Sequence, residues 1–263
     1  MFWVFAGYLW WKPIKQIMKL KNKTIIITGA SSGIGEATAK KLAKEGANVV
    51  ITARRTEKLE KLKKEIEQDN GNALVVTADV TSKSDWKTVI DQTHERFGKV
   101  DGLVNNAGLM PLSFIEKLHT DEWDQMVDVN IKGVLNGLAA VIPDMKENKS
   151  GHIINISSTA GRRVQPSAAV YCATKYAVRA LSDGARMELG PKYNIKVTAI
   201  EPGYTDTELL DTITDDDVQE KIKELKKLEP LKSNDIAEAI FYAFNQPDHS
   251  GVNEILIRPV AEV

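Results

Sequence analysis

From Thr24 onward the chain alternates short apolar, β-branched runs with longer stretches in which apolar residues recur every three to four positions. The short runs fit strands, and the three-to-four spacing lays an apolar stripe along one side of a helix. The pattern predicts strands over 24–28, 48–52, 73–77, 102–105, 152–157, 196–200 and 254–257, and helices over 33–45, 57–68, 84–97, 121–146, 169–189 and 234–245. Strands joined through helices in this way form βαβ units, whose strands lie parallel and are covered on both faces. The expected architecture is α/β: one doubly wound domain over residues 19–263 with a seven-stranded parallel sheet flanked by helices. No linker, repeat or low-complexity block marks a second domain.

Two segments depart from the alternation. Residues 1–11, MFWVFAGYLWW, are apolar and rich in tryptophan, with Lys12, Lys15, Lys19, Lys21 and Lys23 after them. As a helix this run reaches about 17 Å, short of the roughly 30 Å of a bilayer core. A secretory signal carries its positive charge before the apolar run, the reverse of the order here. Residues 1–18 are therefore expected to be an extension outside the core, with neither a membrane span nor export implied; an interfacial anchor is the alternative. The second segment, 206–231, DTELLDTITDDDVQEKIKELKKLEPL, is a charged excursion between the sixth strand and the last helix. It reads as a solvated surface helix or as a substrate lid, and its insertion after a strand's carboxyl end favours the lid.

Bulk composition narrows the function. The 263 residues carry a formal charge of −1, with 43% hydrophobic and 27% charged residues, a balance that fits neither a disordered chain nor an electrostatic nucleic-acid binder. The lone Cys172 excludes an internal disulfide framework, and His94, His119, His152 and His249 lack metal-ligand spacing. A reducing, cytoplasmic and metal-free setting is expected.

The first strand runs into TIIITGASSGIG, Thr24 to Gly35, which has two incompatible readings. Gly29 to Gly33 fit G-x-S-x-G, the nucleophile elbow of serine hydrolases, with Ser31 as nucleophile. Extended to Gly35, the same residues form a glycine-rich turn that cradles a pyrophosphate at a helix N-terminus, with Ser31, Ser32 and Ile34 as lining. The elbow belongs after a strand deep in the sheet with an acid and a histidine downstream. Here it follows the first strand, and the nearest closing histidine, His249, has no orienting acid beyond Asp248. The cradle is favoured. At the end of the second strand, where NAD enzymes place an acid for the ribose 2′-hydroxyl, ITARRTEK carries Arg54 and Arg55. A guanidinium pairs with a 2′-phosphate that a carboxylate would repel, so NADP is favoured over NAD; two surface arginines in a basic loop are the alternative.

YCATK puts Tyr171 and Lys175 on one face at the start of a predicted helix, and Ser158 follows the fifth strand thirteen residues upstream of Tyr171. With TGASSGIG (28–35), DV (79–80), NNAG (105–108), Val129-Asn130, SS (157–158), YCATK (171–175) and PG (202–203), the chain resembles the short-chain dehydrogenase/reductase family over residues 19–259. The resemblance implies a Rossmann fold and catalysis by Asn130, Ser158, Tyr171 and Lys175. Tyr171 would be the general acid/base and Ser158 would polarise the substrate oxygen. Lys175 would hold the nicotinamide ribose and lower the tyrosine pKa, and Asn130 would support a water relay behind it. A free tyrosine, with a pKa of about 10, needs a drop of roughly 2 to 3 units to serve as a base near neutrality. Asp79 and Val80 would flank the adenine, Asn106, Ala107 and Gly108 the ribose, and Pro202, Gly203, Thr205 and Thr207 the nicotinamide end. Ser157 is a decoy beside Ser158, and Cys172 is expected to pack.

YTDTELLDTIT and QPDHSGVNEILIRPV resemble a subgroup of NADP-dependent 3-hydroxy-acid dehydrogenases and carbonyl reductases. Arg162 and Arg163, between Ser158 and Tyr171, are candidates to clamp a substrate carboxylate, with a surface or subunit contact as the equal alternative. The resemblance implies a homodimer or homotetramer assembled through the helices at 121–146 and 169–189. Two rivals are a 3-ketoacyl carrier-protein reductase, against which the acidic run Asp215 to Asp217 argues, and a catalytically silent NADP-binding regulatory protein, against which the complete catalytic set argues.

Overall fold

The computed structural model describes residues 20–225 and 227–262. Its strands are β1 (Thr24–Thr28), β2 (Asn48–Ala53), β3 (Asn72–Thr77), β4 (Gly102–Asn105), β5 (Gly151–Ile156), β6 (Ile195–Pro202) and β7 (Glu254–Ile257). Its helices are α1 (Gly33–Lys44), α2 (Thr56–Gln68), α3 (Lys83–Phe97), α4 (Thr120–Val127), α5 (Gly133–Asn148), α6 (Ala169–Tyr193), α7 (Asp216–Leu225) and α8 (Ser233–Phe244). All strands pair in parallel in the order β3-β2-β1-β4-β5-β6-β7. The chain builds outward from β1 to β3, then crosses back to β4 and builds the other way. The strand order thus reverses between β1 and β4, where the carboxyl ends of an open α/β sheet leave a crevice. This is a Rossmann-type α/β fold, as the alternation implied.

The pleat explains why the strands are apolar throughout. Ile25, Ile27, Val49 and Ile51 point into one core layer with Leu42 of α1, Leu59 and Ile66 of α2, and Ile236 and Ile240 of α8. Ile26 and Val50 point the other way, against Trp86 and Val89 of α3, Val141 and Met145 of α5, and Val178 of α6. Each such fully buried side chain contributes about 1.5 to 3 kcal/mol of apolar burial.

Two differences from the sequence reading bear on function. The helix expected over 121–146 is interrupted by one π turn, Asp128–Lys132, between α4 and α5. Among the described residues the run Thr120–Asn148 is the one helix long and apolar enough to cross a bilayer by length and composition, yet Val134, Leu138, Val141 and Met145 are buried in the core layer beside the sheet. The excursion at 206–231 folds into a 3-10 turn, Glu208–Thr212, followed by α7. Its two ends are tied together where Asp206 N donates to Leu231 O at 2.9 Å and Leu231 N donates to Tyr204 O at 3.0 Å. Val218 of α7 is buried, so α7 is not solvated all round. The extension expected at residues 1–18 lies outside the described residues.

Candidate active site

The carboxyl ends of the strands open into a cavity of about 560 Å³. One end is floored by the turn from β1 into α1. Gly29 has φ +65°, and a Cβ there would lie 2.9 Å from Ala107 Cα. A Cβ on Gly35 would lie 2.4 Å from the Gly29 carbonyl oxygen, so α1 starts this close to β1 only because position 35 has no side chain. Thr28 Oγ1 accepts from the backbone N–H groups of Asn106 and Ala107, both at 3.0 Å. The Asn106 amide donates to Thr28 O at 2.9 Å. Its side chain braces the glycine turn, and Asn106, Ala107 and Gly108 all line the cavity.

Ser31 shows which reading of the turn holds. Its Oγ accepts from Arg55 Nε at 3.0 Å and from a terminal Arg55 nitrogen at 2.8 Å, and that nitrogen also donates to Ser32 Oγ at 2.7 Å. A hydroxyl held by a guanidinium is not activated as a nucleophile, which needs a base in contact. Ser31 is lining. Arg55 also pairs with Glu208 at 2.7 Å, and Lys58, in the first turn of α2, pairs with the same carboxylate at 2.7 Å. The Lys58 and Arg55 hydrogen bonds hold the Glu208 carboxyl down at about 2. Arg54 lines the cavity nearby and is exposed.

At the other end, β5 and α6 bring Ser158, Tyr171 and Lys175 together. Ser158 follows β5, accepts from Ala160 N at 3.1 Å and reaches the Tyr171 hydroxyl. Lys175 lies one helical turn beyond Tyr171, its Nζ donating to Ile156 O at 2.9 Å and standing 5.7 Å from the tyrosine ring centroid. Burial pushes Tyr171 up to about 12, opposed by the Ser158 hydrogen bond, and pulls Lys175 down to about 8. Desolvation disfavours phenolate and ammonium alike, and a further positive charge is needed to reverse it.

Asn130 sits in the π turn, a departure from α geometry that recurs at functional sites. Its Oδ1 accepts from Leu109 N at 2.8 Å, and its Nδ2 donates to Leu109 O at 2.9 Å and to Thr174 Oγ1 at 3.1 Å. The amide thus clamps the segment after β4 onto α6, with Gly108 between Asn130 and Lys175. Ser157, the neighbour of Ser158, donates to Lys175 O at 2.9 Å and is structural.

The remaining candidates divide. Ile34, Asp79, Val80, Pro202, Gly203, Thr205 and Thr207 line the cavity. Asp79 accepts from Thr81 N at 2.9 Å, shaping its own loop. Arg162 and Arg163 do not line it. Arg162 turns away into a cluster in which it and Arg179 pair with Glu201, which is fully buried, and with Glu254. A buried carboxylate holds its guanidinium partners firmly because leaving it unpaired is costly. The carboxylate clamp expected there is thus not formed by Arg162, and Arg163 is an exposed loop residue. Cys172 is buried with Met126, Ala160 and Ala168.

Sequence reasoning missed Leu109, Met110, Leu112 and Tyr204, which present surface to the far wall together with Leu209 and Ile222 of the excursion expected as a lid. Glu262 also lines it, accepting from Tyr204 N at 2.7 Å. Among the described residues, the basic groups lining the cavity are Lys175 at this end and Arg54 and Arg55 at the glycine end.

A glycine cradle at the switch point beside a serine, tyrosine and lysine is an arrangement that can hold a dinucleotide next to groups able to move a proton. The family model for the short chain dehydrogenase matches residues 23–218. An uncharacterised oxidoreductase of Staphylococcus saprophyticus is 49% identical over 246 residues, covering 92% of this chain and 98% of its own. One of Listeria monocytogenes is 48% identical over 246 residues, covering 93% and 99%. The chain belongs to the short-chain dehydrogenase family. Among solved structures it is similar to a closed serine dehydrogenase complexed with NADP+, with a TM-score of 0.85, 32% identity, and 91% and 96% of the two chains covered. It is also similar to an alcohol dehydrogenase of Thermococcus sibiricus complexed with 5-hydroxy-NADP, with a TM-score of 0.81, 30% identity, and 92% and 98% covered.

Proposed function

We propose that the protein is an NADP-dependent oxidoreductase that moves a hydride between nicotinamide and a small carbonyl compound or secondary alcohol. The observation that carries this reading is the pairing within one cavity of the glycine cradle and Arg55 at one end with Ser158, Tyr171 and Lys175 at the other. The residues fit the cofactor: positions 29 and 35 have room for a backbone but not for a Cβ, and Arg54 and Arg55 stand where a 2′-phosphate needs a cation. NADP+ in the serine dehydrogenase structure and 5-hydroxy-NADP in the alcohol dehydrogenase structure support the same choice. When bound, the nicotinamide supplies or accepts the hydride and, when oxidised, adds a positive charge.

The chain's own groups perform the proton chemistry. In reduction Tyr171 donates its hydroxyl proton to the developing alkoxide while Ser158 stabilises that oxygen by a hydrogen bond. In oxidation the same tyrosine takes the proton, which requires the phenolate. Lys175, anchored on Ile156 O, is placed to supply the cationic partner for it. Asn130 holds Leu109 and α6 so that these groups keep their spacing. The excursion at 206–231 acts as a lid, supported by Leu209 and Ile222 in the cavity wall and by the Thr214 hydroxyl on Glu122 at 2.6 Å. Exposed Leu135 on α5 and Tyr176 and Met187 on α6 support assembly as a homodimer or homotetramer through those helices.

For the substrate, the apolar far wall with Glu262 favours a neutral carbonyl compound over an anionic one. The 3-hydroxy-acid reading draws its support from the serine dehydrogenase neighbours. Turnover of neutral ketones and of 3-hydroxy acids, each with phosphorylated and unphosphorylated cofactor, separates the two. A 3-hydroxy acid outperforming every neutral compound would reverse the preference stated here, and equal rates with NADH would remove the NADP assignment.

A further inference from the structure

The cationic corner of the cavity is already engaged by an anion of the chain itself. Arg55 holds Ser31 and Ser32 with part of its guanidinium and spends its remaining terminal nitrogen on Glu208, while Lys58 meets the other Glu208 oxygen. Glu208 opens the 3-10 turn near the start of the excursion at 206–231, and it follows Thr207, which packs against Gly33 of the glycine turn. Lys58 was not among the residues singled out from the sequence, yet it stands with Arg55 at the N-terminal end of α2, where the helix adds partial positive charge.

We propose that Glu208 is an intramolecular competitor for the cofactor's 2′-phosphate, and that Arg55 and Lys58 exchange the Glu208 carboxylate for that phosphate when NADP binds. The inference rests on the NADP reading above and adds a specificity residue, Glu208, and a second phosphate ligand, Lys58. The physical argument concerns relative charge and exposure. The three side chains are 45%, 46% and 48% exposed, so the ion pairs are weak and exchangeable. A phosphate monoester offers a charge of nearly −2 and three acceptor oxygens to the same donors, against one negative charge on the carboxylate. NAD carries only a hydroxyl at this position and has nothing to exchange. A cofactor without the phosphate therefore leaves the Glu208 tether in place, and one with it releases the start of the excursion.

The test measures Kd values for NADP+, NAD+, adenosine 2′,5′-bisphosphate and 5′-AMP with the full chain and with Glu208→Gln, Arg55→Ala and Lys58→Ala. Glu208→Gln is expected to bind NADP+ and adenosine 2′,5′-bisphosphate about 3- to 10-fold more tightly, the scale of a lost exposed ion-pair competitor, with NAD+ and 5′-AMP unchanged within about 2-fold. Lys58→Ala is expected to weaken the two phosphorylated ligands and not the others. In limited tryptic digestion, adenosine 2′,5′-bisphosphate but not 5′-AMP should speed cleavage within 206–231 of the unsubstituted protein, and Glu208→Gln should be cleaved at the faster rate from the outset. Unchanged or weaker NADP+ binding in Glu208→Gln, with Arg55→Ala still selectively weakening NADP+, would overturn the competitor and leave the NADP reading standing. If the unsubstituted protein and Arg55→Ala both bind NADP+ and NAD+ equally, the NADP reading fails and the competitor falls with it.

Discussion

Lys175 is the clearest place where the proposed chemistry works against stability. Its ammonium is buried and its pKa falls from 10.5 to about 8, a change caused by desolvation. At 1.36 kcal/mol per unit, burying the charged form costs about 3 kcal/mol below pH 8. Replacing it in Lys175→Met keeps much of the stem's packing and removes the charge, but leaves Ile156 O without its donor, a loss of about 1 kcal/mol. The variant is therefore expected to be more stable than the parent by about 2 kcal/mol at pH 7, and inactive. The pH dependence has a definite sign. Between pH 8 and 10.5 the unfolded chain still holds the lysine proton that the folded protein has released, so the parent gains stability as pH rises through that window. Tyr171, raised to about 12, acts oppositely but only above pH 10. Urea unfolding without added cofactor at pH 7, 8, 9 and 10 should show the two proteins converging by up to about 1.4 kcal/mol per pH unit above pH 8. A variant less stable than the parent by the same margin at every pH would refute the reasoning.

Other consequences are independent of that pair. Gly35→Ala sets a Cβ 2.4 Å from a backbone oxygen, and should cost about 1 to 3 kcal/mol in urea unfolding while weakening dinucleotide binding, measured by fluorescence titration. His152, packed edge-on against Phe244, is pulled by burial down to about 3. As pH falls from about 6.5 towards 3 the unfolded histidine protonates first, so stability should drop by up to about 1.4 kcal/mol per unit. Parallel melts should show a shallower acid slope in His152→Gln. Asn130→Ala leaves both polar groups of Leu109 without their partner, and should lower the melting temperature and kcat together, with a stability loss of about 1 to 3 kcal/mol.

The sheet was legible because parallel strands buried on both faces must be written as short apolar runs, and helices between them as periodic ones. The glycine turn and the Ser158, Tyr171 and Lys175 set were legible for a related reason: each is a local cluster whose spacing survives folding. What was lost depends on contacts distant in sequence. Nothing in the run around Asn130 distinguishes a π turn from an α-helix, since both keep the same apolar periodicity; the clamp on Leu109 becomes visible only when β4 and the helix meet. Arg162 looked free because its partners, Glu201 and Glu254, lie on two later strands. Glu208 lies over 150 residues from Arg55 and reaches it only because the end of β6 and the end of β2 open onto one cavity. Sequence proximity to Ser158 and Tyr171 was a poor guide to the apolar far wall of the cavity, which is built largely from the loop after β4 and from the excursion.

The most direct test of the central claim is NADPH oxidation with a panel of neutral ketones and 3-oxo acids, comparing the protein with Tyr171→Phe after cofactor binding has been shown equal in the two. Tyr171 buries its hydroxyl against Ser158, so its removal should lower kcat by about 10²- to 10⁴-fold, the range for a positioned acid, with the NADPH Kd unchanged. Undiminished turnover in the variant would contradict the account, because it would place the proton donor elsewhere in the cavity.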